Sequence, residues 1–282
     1  MTIPLSVVIP TYDTAAMTLR CCTAALRELP AGGEVIVVDD GSRDHTCELL
    51  AAEVPAVRVV RLETNGGFAV AANAGVRAAR GAIVMLLNSD AIVTGGALTA
   101  LLSAFTDERL GIAGAQLVNE DGTPQWSGGR TPTLPWLIGV VSGLGSLARF
   151  FRRRASGTQP RVVDWVSGAA MAFRAEVWKT AGPLSERYRF YCQDLEFCLR
   201  ARAAGWNVRI VDAARVVHGH GKTIARDNAL HYDPALLWPD LMTWGESFYG
   251  KRWAAMARPL LALIARIRAI GNRDIRTAAK RL

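Results

Sequence analysis

Cysteine is sparse and unpaired in this 282-residue chain: five residues, an odd number with no C-x-x-C pair, so neither a disulfide framework nor a structural zinc site is expected. A reducing compartment fits that usage. The opening MTIPLSVVIP has neither the basic region nor the long apolar core of a signal peptide, and predicts a first strand. Unbroken apolar length is missing too. The longest uncharged stretch, Thr131 to Ala148, carries Pro132, Pro135, Gly139, Gly143 and Gly145, which argues for an interfacial or buried segment and against a spanning helix. No repeat or low-complexity segment interrupts the chain. The first hundred residues are not notably basic despite a net charge of +8, so a nucleic-acid groove is not expected, and the charge points instead to acidic lipid or a phosphorylated substrate.

What is present is a sound core composition, half the residues being apolar, and an alternation of strand and helix. Leu5 to Ile9 and Glu34 to Val38 predict strands, with Leu19, Cys22, Leu26 and Leu29 at helical spacing between them. Asp44 to Glu53 predicts a helix, Val57 to Leu62 a strand, Phe68 to Arg80 a helix, then a strand ending at Asn88, a helix from Gly95 to Phe105 and a strand from Ile112 to Val118. A Gly, Pro and Trp-rich region, Thr123 to Gly157, is too long for an ordinary loop, which predicts a functional or partly helical segment. Strands are expected at Val162 to Val166, Ala169 to Phe173 and Val208 to Val211, and helices at Ala175 to Ala181, Asp194 to Ala204 and through most of the chain beyond His220. The expected class is α/β, with carboxylates at strand ends, where open sheets bind ligands.

The succession SVVIPTYD, VIVVDDGSRDHT, NGGFAVAANAGVRAARG, MLLNSDA, DWVSGAAMAFR and YCQDLEFCLRARAAGW resembles the family-2 nucleotide-sugar glycosyltransferases of GT-A fold, and within them the bacterial rhamnosyltransferase-like branch. The likeness runs from about Ser6 to His218. It implies a GT-A (Rossmann-like) nucleotide-binding sheet over residues 1–120, a mixed-sheet acceptor and catalytic half over 121–222, and leaves 223–282 as a basic helical extension. It also implies an inverting sugar transfer from a dTDP- or UDP-linked donor, dTDP-L-rhamnose first, to a saccharide acceptor that is lipid-linked or otherwise at the cell surface.

The resemblance assigns Pro10, Thr11 and Tyr12 to the nucleotide, where the plain alternative is a strand-to-helix turn. Asp40 is expected to accept the N3 hydrogen of uracil or thymine, with Asp39 anchoring the turn or either residue capping a helix. Asn65, Gly67 and Asn73 match the family's spacing at the start of a helix, where free amides suit phosphate or sugar hydroxyls. In Asn88-Ser89-Asp90, Asp90 stands for the second acid of the family's Asp-x-Asp and Asn88 replaces the first; the alternative is Asp90 as a cap for the next helix. Asp90 with His218 is the expected pair for Mg²⁺ or Mn²⁺, with His220 the competing ligand and no other Cys or His beside them to complete a zinc set. Asp194, kept where Gln193 replaces the family's preceding Glu, is the expected base. Burial must then offset the helix dipole that lowers its basicity.

Glu196 is expected either to orient the acceptor or to sit on a solvated helix face. Trp165 and Gly168 are assigned to the acceptor, and Trp126 and Trp136 are further sugar platforms or core residues. Leu134 to Ala148 with Arg149, Arg152, Arg153 and Arg154, and Leu260, Leu261, Leu263, Ile264, Ile267 and Ile270 on a basic helix, pair apolar length with positive charge. They suggest an anionic membrane surface as partner, and a cytoplasmic protein peripheral on the inner face of a bacterial membrane. The oligomeric state stays open. A nucleotidyltransferase would carry a Gly-rich basic loop after the first strand, which VIPTYDTAAMT lacks. A non-catalytic glycan-binding protein would have no need of Asp40, Asp90, Asp194 and His218 together.

Overall fold

The computed structural model describes residues 4–144, 161–219, 233–270 and 273–282. Arg149, Arg152, Arg153, Arg154 and His220 lie outside them. The first half winds β1 (Leu5–Thr11), α1 (Ala15–Glu28), β2 (Glu34–Asp39), α2 (Thr46–Glu53), β3 (Arg58–Arg61), α3 (Phe68–Ala78) and β4 (Ile83–Leu87). These four strands are parallel, ordered β3-β2-β1-β4. The near-continuous apolar sequences of β1, β2 and β4 follow from burial on both faces, whereas β3, RVVR, is the partly exposed edge strand. Val7 and Ile9 of β1 enter one core with α1 and α2, whereas Val8 faces the other with α3. Gly75 permits the close approach of α3, because a Cβ there would stand 2.3 Å from the Val8 side chain.

The sheet then turns mixed. After β5 (Ala91–Val93), α4 (Ala97–Ala104) and β6 (Leu110–Val118) come β7 (Gly128–Gly129), α5 (Leu134–Ser142), β8 (Arg161–Val162), β9 (Trp165–Val166), β10 (Ala170–Arg174), α6 (Ala175–Ala181), α7 (Gln193–Ala203) and β11 (Asn207–His218). Strand β10 is antiparallel to both β4 and β6, and β11 runs parallel to β6 and antiparallel to β5. Strand β5 was not expected from the sequence, since three residues after a polar turn show no period. The strand expected at Val162 to Val166 is two, β8 on the edge of β11 and β9 paired with β7, because Asp164 breaks the run and binds Thr131 at 2.8 Å. The last strand runs to His218, well past Val211, through a register shift against β6 between Val211 and Arg215.

Helices α8 (Pro234–Tyr249), α9 (Lys251–Arg268) and α10 (Arg273–Ala279) form a third core with α5, Tyr188, Cys192 and Leu195. The apolar residues expected on one side of α9 divide: Leu261 is buried there, while Leu260, Leu263, Ile267 and Ile270 remain exposed. Small alanines at 254, 257 and 265 let α9 pack closely on the inner side and leave its larger side chains outward. Among the described residues no helix is long and apolar enough to cross a membrane.

Candidate active site

The carboxyl ends of β1, β2 and β4 carry the first group of polar residues. Thr11 closes β1 but turns its hydroxyl into a buried cluster with Thr14 and Thr18, 2.7 and 2.6 Å away, and Thr14 reaches Ser89 at 3.3 Å. Pro10 is buried in the strand, and Tyr12, half-buried, follows it. Asp39 fastens the β2 turn: it accepts the Ser42 amide at 3.2 Å and pairs with Arg61 at 3.3 Å. Asp40 accepts the amides of Gly66 at 2.9 Å and Gly67 at 2.8 Å. Its carboxyl is raised from the ordinary value, burial outweighing those two donors. Neither acid caps α2, whose N-cap is His45.

Gly41, at φ +74°, lets this turn touch the next loop, since a Cβ would meet the Thr64 and Asn65 backbone at 2.9 to 3.0 Å. Asn65 accepts the Gly67 amide at 3.1 Å, and Gly67 caps α3 at φ 88°. The Asn73 side chain clasps another segment: its amide donates to the Leu184 carbonyl and to Glu186, and its oxygen accepts the Leu184 amide at 3.0 Å.

Strand pairing joins Asp90 to His218, 128 residues further along the chain, because β5 pairs antiparallel with β11 and sets His218 opposite Ala91. Asp90 Oδ1 stands 3.4 Å from His218 Nε2, and Gly219 donates its amide to the Asp90 carbonyl at 3.0 Å. Asp90 does not cap the following helix, whose N-cap is Gly96. Gln125 orients the imidazole. Its Nε2 faces three acceptors, the His218 carbonyl at 2.8 Å, Asn119 Oδ1 at 2.7 Å and the Val118 carbonyl at 3.4 Å, so its Oε1 must be the atom 3.1 Å from His218 Nδ1. The proton therefore sits on Nδ1, and Nε2 offers a lone pair toward Asp90, with the Asn88 amide 3.4 Å away. Burial lowers the imidazole's pKa and outweighs the opposing pull of Asp90, which favours the neutral ring.

Two acceptor atoms facing each other at 3.4 Å fit a shared hard cation, for which neighbouring ligand atoms stand about 3 Å apart. Among the described residues no group of three or more His, Cys, Asp or Glu side chains could hold a metal ion.

Asp194 lies in the first turn of α7. Cys192, in the left-handed region at φ 72°, makes the sharp entry that sets this helix against the 167–169 turn. Asp194 accepts the Gly168 amide and the Leu195 amide, each at 2.8 Å. Burial nonetheless raises its carboxyl from the ordinary carboxylate value, outweighing the amide donors. A Cβ on Gly168 would sit 3.4 Å from Asp194 Cβ and 3.6 Å from the Phe68 ring, so the starts of α3 and α7 meet here. Glu196 is engaged by Arg187 at 2.5 Å, and Arg187 also binds Ser247 of α8. Trp165 stacks edge-on against Trp126 at 5.0 Å, and Trp126 lies 5.8 Å from Trp136. Of these three rings Trp126 is the most open, at 39% exposure.

Two contributors carried no sequence signal strong enough to be singled out. Gln125 sits in an irregular stretch where no period operates. Asp240, which accepts the amides of Arg189, Phe190 and Tyr191 at 3.0, 2.9 and 2.8 Å, is a lone acid on the apolar helix PALLWPDLMTW, and that interruption was the available clue.

Comparison with known proteins agrees with this architecture. Over 249 residues the chain is 26% identical to N-acetylglucosaminyl-diphospho-decaprenol L-rhamnosyltransferase of Mycobacterium tuberculosis, covering 82% of this chain and 81% of that one. It is 36% identical to glycosyltransferase GlyG of Streptococcus pneumoniae over 92 residues, 32% and 31% of the two chains. The mannosyltransferase PcManGT from Pyrobaculum calidifontis, solved with GDP-Man and Mn²⁺, superposes with a TM-score of 0.59 at 17% identity, over 98% of this chain and 83% of that one. S. aureus TarS 1–349, solved with UDP-GlcNAc, does so with a TM-score of 0.59 at 18% identity, over 95% and 73%. The fold is therefore GT-A. The model of glycosyl transferase family 2 matches residues 6–180, more than half of the sequence, and the chain belongs to that family.

Proposed function

We propose that this glycosyltransferase inverts the anomeric centre as it moves L-rhamnose from dTDP-rhamnose to a lipid-linked saccharide at an anionic membrane surface on the cytoplasmic side. The carrying observation is the facing pair Asp90 and His218, linked to the raised carboxyl of Asp194 through the turn before β10, where Gly168 donates its amide to Asp194 at 2.8 Å and the Ala169 carbonyl accepts the Asn88 amide at 3.0 Å. Rhamnose and a lipid-linked acceptor are supported by the name of the mycobacterial relative. Residues 1–222 are taken as the catalytic domain and 223–282 as its extension.

In this mechanism Asp40 accepts the N3 hydrogen of thymine on a second lone pair while its bonds to Gly66 and Gly67 fix its position. Pro10, Thr11, Tyr12, Asn65, Gly67, Asn88 and Ser89 frame the nucleotide sugar. Asn73 acts by holding the Leu184 to Glu186 segment. Asp90 and His218 would hold Mg²⁺ or Mn²⁺, and the bound cation supplies Lewis-acid neutralisation of the departing diphosphate. Asp194 takes the proton of the acceptor hydroxyl as that oxygen attacks the anomeric carbon from the face opposite the diphosphate. The carbon–oxygen bond to the diphosphate breaks, its electron pair leaves on the phosphate oxygen, and the proton ends on Asp194. Gly168 and the Trp165 side chain line the acceptor, with Trp126 offering a ring face, and Glu196 acts through its pairing with Arg187.

The test is a panel of nucleotide sugars scored by thermal stabilisation with and without Mn²⁺, followed by release of nucleoside diphosphate on adding acceptor. A selective, Mn²⁺-dependent shift with dTDP-rhamnose is expected. A shift confined to a UDP-sugar would replace the donor, and pyrophosphate exchange in place of diphosphate release would overturn the reaction.

A further inference from the structure

Helix α9 has two apolar faces, and the fold uses one. Ala254, Ala257, Leu261 and Ala265 are buried in the third core. Met256, Leu260, Leu263 and Ile267, with Ile270 just past the helix end, follow one another alternately four and three residues apart, which aligns them as a stripe. Their exposures are 68, 40, 57, 62 and 82%. A contiguous row of this kind, along a helix about 27 Å long, is the sort of surface that marks an interaction site.

The spacing suits either a second helix or a lipid surface, and charge decides between them. Helix α9 contains Lys251, Arg252, Arg258, Arg266 and Arg268 and no Asp or Glu. Arg258 pairs with Glu246, and Arg268 donates to the Val140 and Val141 carbonyls of α5, so these two serve the fold. Lys251, Arg252 and Arg266 are exposed. A second copy pairing through this stripe would set arginine beside arginine, with no acid on either helix to alternate with it. An anionic bilayer offers hydrocarbon to the stripe and opposite charge to its flanks.

We propose that the outer face of α9 seats the protein on an anionic membrane surface, with Met256, Leu260, Leu263, Ile267 and Ile270 among the acyl chains and Lys251, Arg252 and Arg266 at the phosphates. Its purpose rests on the proposed lipid-linked acceptor. The helices are connected accordingly: α9 packs on α8, whose Asp240 holds the segment leading into Asp194.

The experiment is flotation of the full-length protein with vesicles of phosphatidylcholine alone, or with about one third phosphatidylglycerol, at about 0.05 and 0.5 M salt. Point variants are used because removing α9 would strip Leu261 from the core. Leu263→Glu/Ile267→Glu changes only exposed positions, so an unchanged melting temperature certifies its fold, and Arg252→Gln/Arg266→Gln is a second, independent variant. Wild type is expected to float with the anionic vesicles only, about tenfold more weakly at high salt, and each variant to lose about tenfold in affinity. No flotation at low salt, or variants that float like wild type, would overturn the proposal. So would a wild-type dimer that the Glu variant converts to monomer without loss of flotation. Transfer to a water-soluble acceptor is read separately: its failure with flotation intact strikes the proposed reaction and leaves this surface standing.

Discussion

Replacing Asp194 by Asn isolates proton transfer from the residue's other tasks. The carboxylate accepts the Gly168 and Leu195 amides through its two oxygens. An amide keeps one oxygen and turns an NH₂ toward the other N–H, so one main-chain bond is lost at about 1–3 kcal/mol. A second effect opposes it. Because burial raises the Asp194 pKa, the native carboxyl holds its proton more readily than the unfolded chain does. Its contribution to stability is therefore full below the unfolded value of about 3.9 and is lost as pH rises through the folded value, a loss the neutral amide escapes. The two effects partly cancel, and the variant should fold with a net change under about 2 kcal/mol.

Transfer should nonetheless fall by about 10²- to 10⁴-fold, with donor affinity changed by less than about threefold. The assay is nucleoside diphosphate release across pH, beside donor binding by thermal shift. In wild type the acid limb of kcat/KM should lie above the ordinary carboxylate value, since the base works only when ionised and its pKa is raised; the variant's residual rate should lack that limb. Turnover of Asp194→Asn within about tenfold of wild type would refute the assignment, as would an acid limb at the ordinary carboxylate value.

The parallel half of the sheet was legible because β1, β2 and β4 are short apolar runs between glycine or polar punctuation and helices α1 and α3 keep their period. The mixed half was less so. Strand β5 has three residues, and its existence depends on β11 reaching back to pair with it, a long-range contact that leaves no local period. The motif residues themselves were visible, but their partners were not: nothing in the sequence announces that Asn73 binds Leu184, or that Arg187 takes up Glu196. The division of α9 was hidden for a different reason. Alanine and leucine both read as apolar, yet the alanines at 254, 257 and 265 decide which side packs closely and leave the bulkier residues outward.

Three further perturbations bear on the rest of the site. Asp90→Ala and His218→Ala should each abolish most of the extra thermal stabilisation that Mn²⁺ gives to donor binding; a full Mn²⁺ effect in both variants would remove the metal pair. Gln125→Leu, which removes the Oε1 acceptor 3.1 Å from His218 Nδ1, should weaken Mn²⁺-dependent donor binding by about 10- to 100-fold without moving the acid limb of kcat/KM. A wild-type Mn²⁺ titration in that variant would show that Gln125 does not set the tautomer. Asp240→Ala removes the acceptor of three amides just before Cys192, and since solvent reaches the half-open 189–191 backbone the cost should be about 2–4 kcal/mol, less than three fully buried bonds would imply. Because Arg189 to Tyr191 lead directly into α7, the loosened segment should raise the acceptor KM and lower kcat while donor stabilisation by Mn²⁺ stays intact at a temperature well below melting. Equal loss of donor and acceptor binding would mean that Asp240 serves the fold as a whole, and unchanged acceptor kinetics would mean that α8 does not position the catalytic helix.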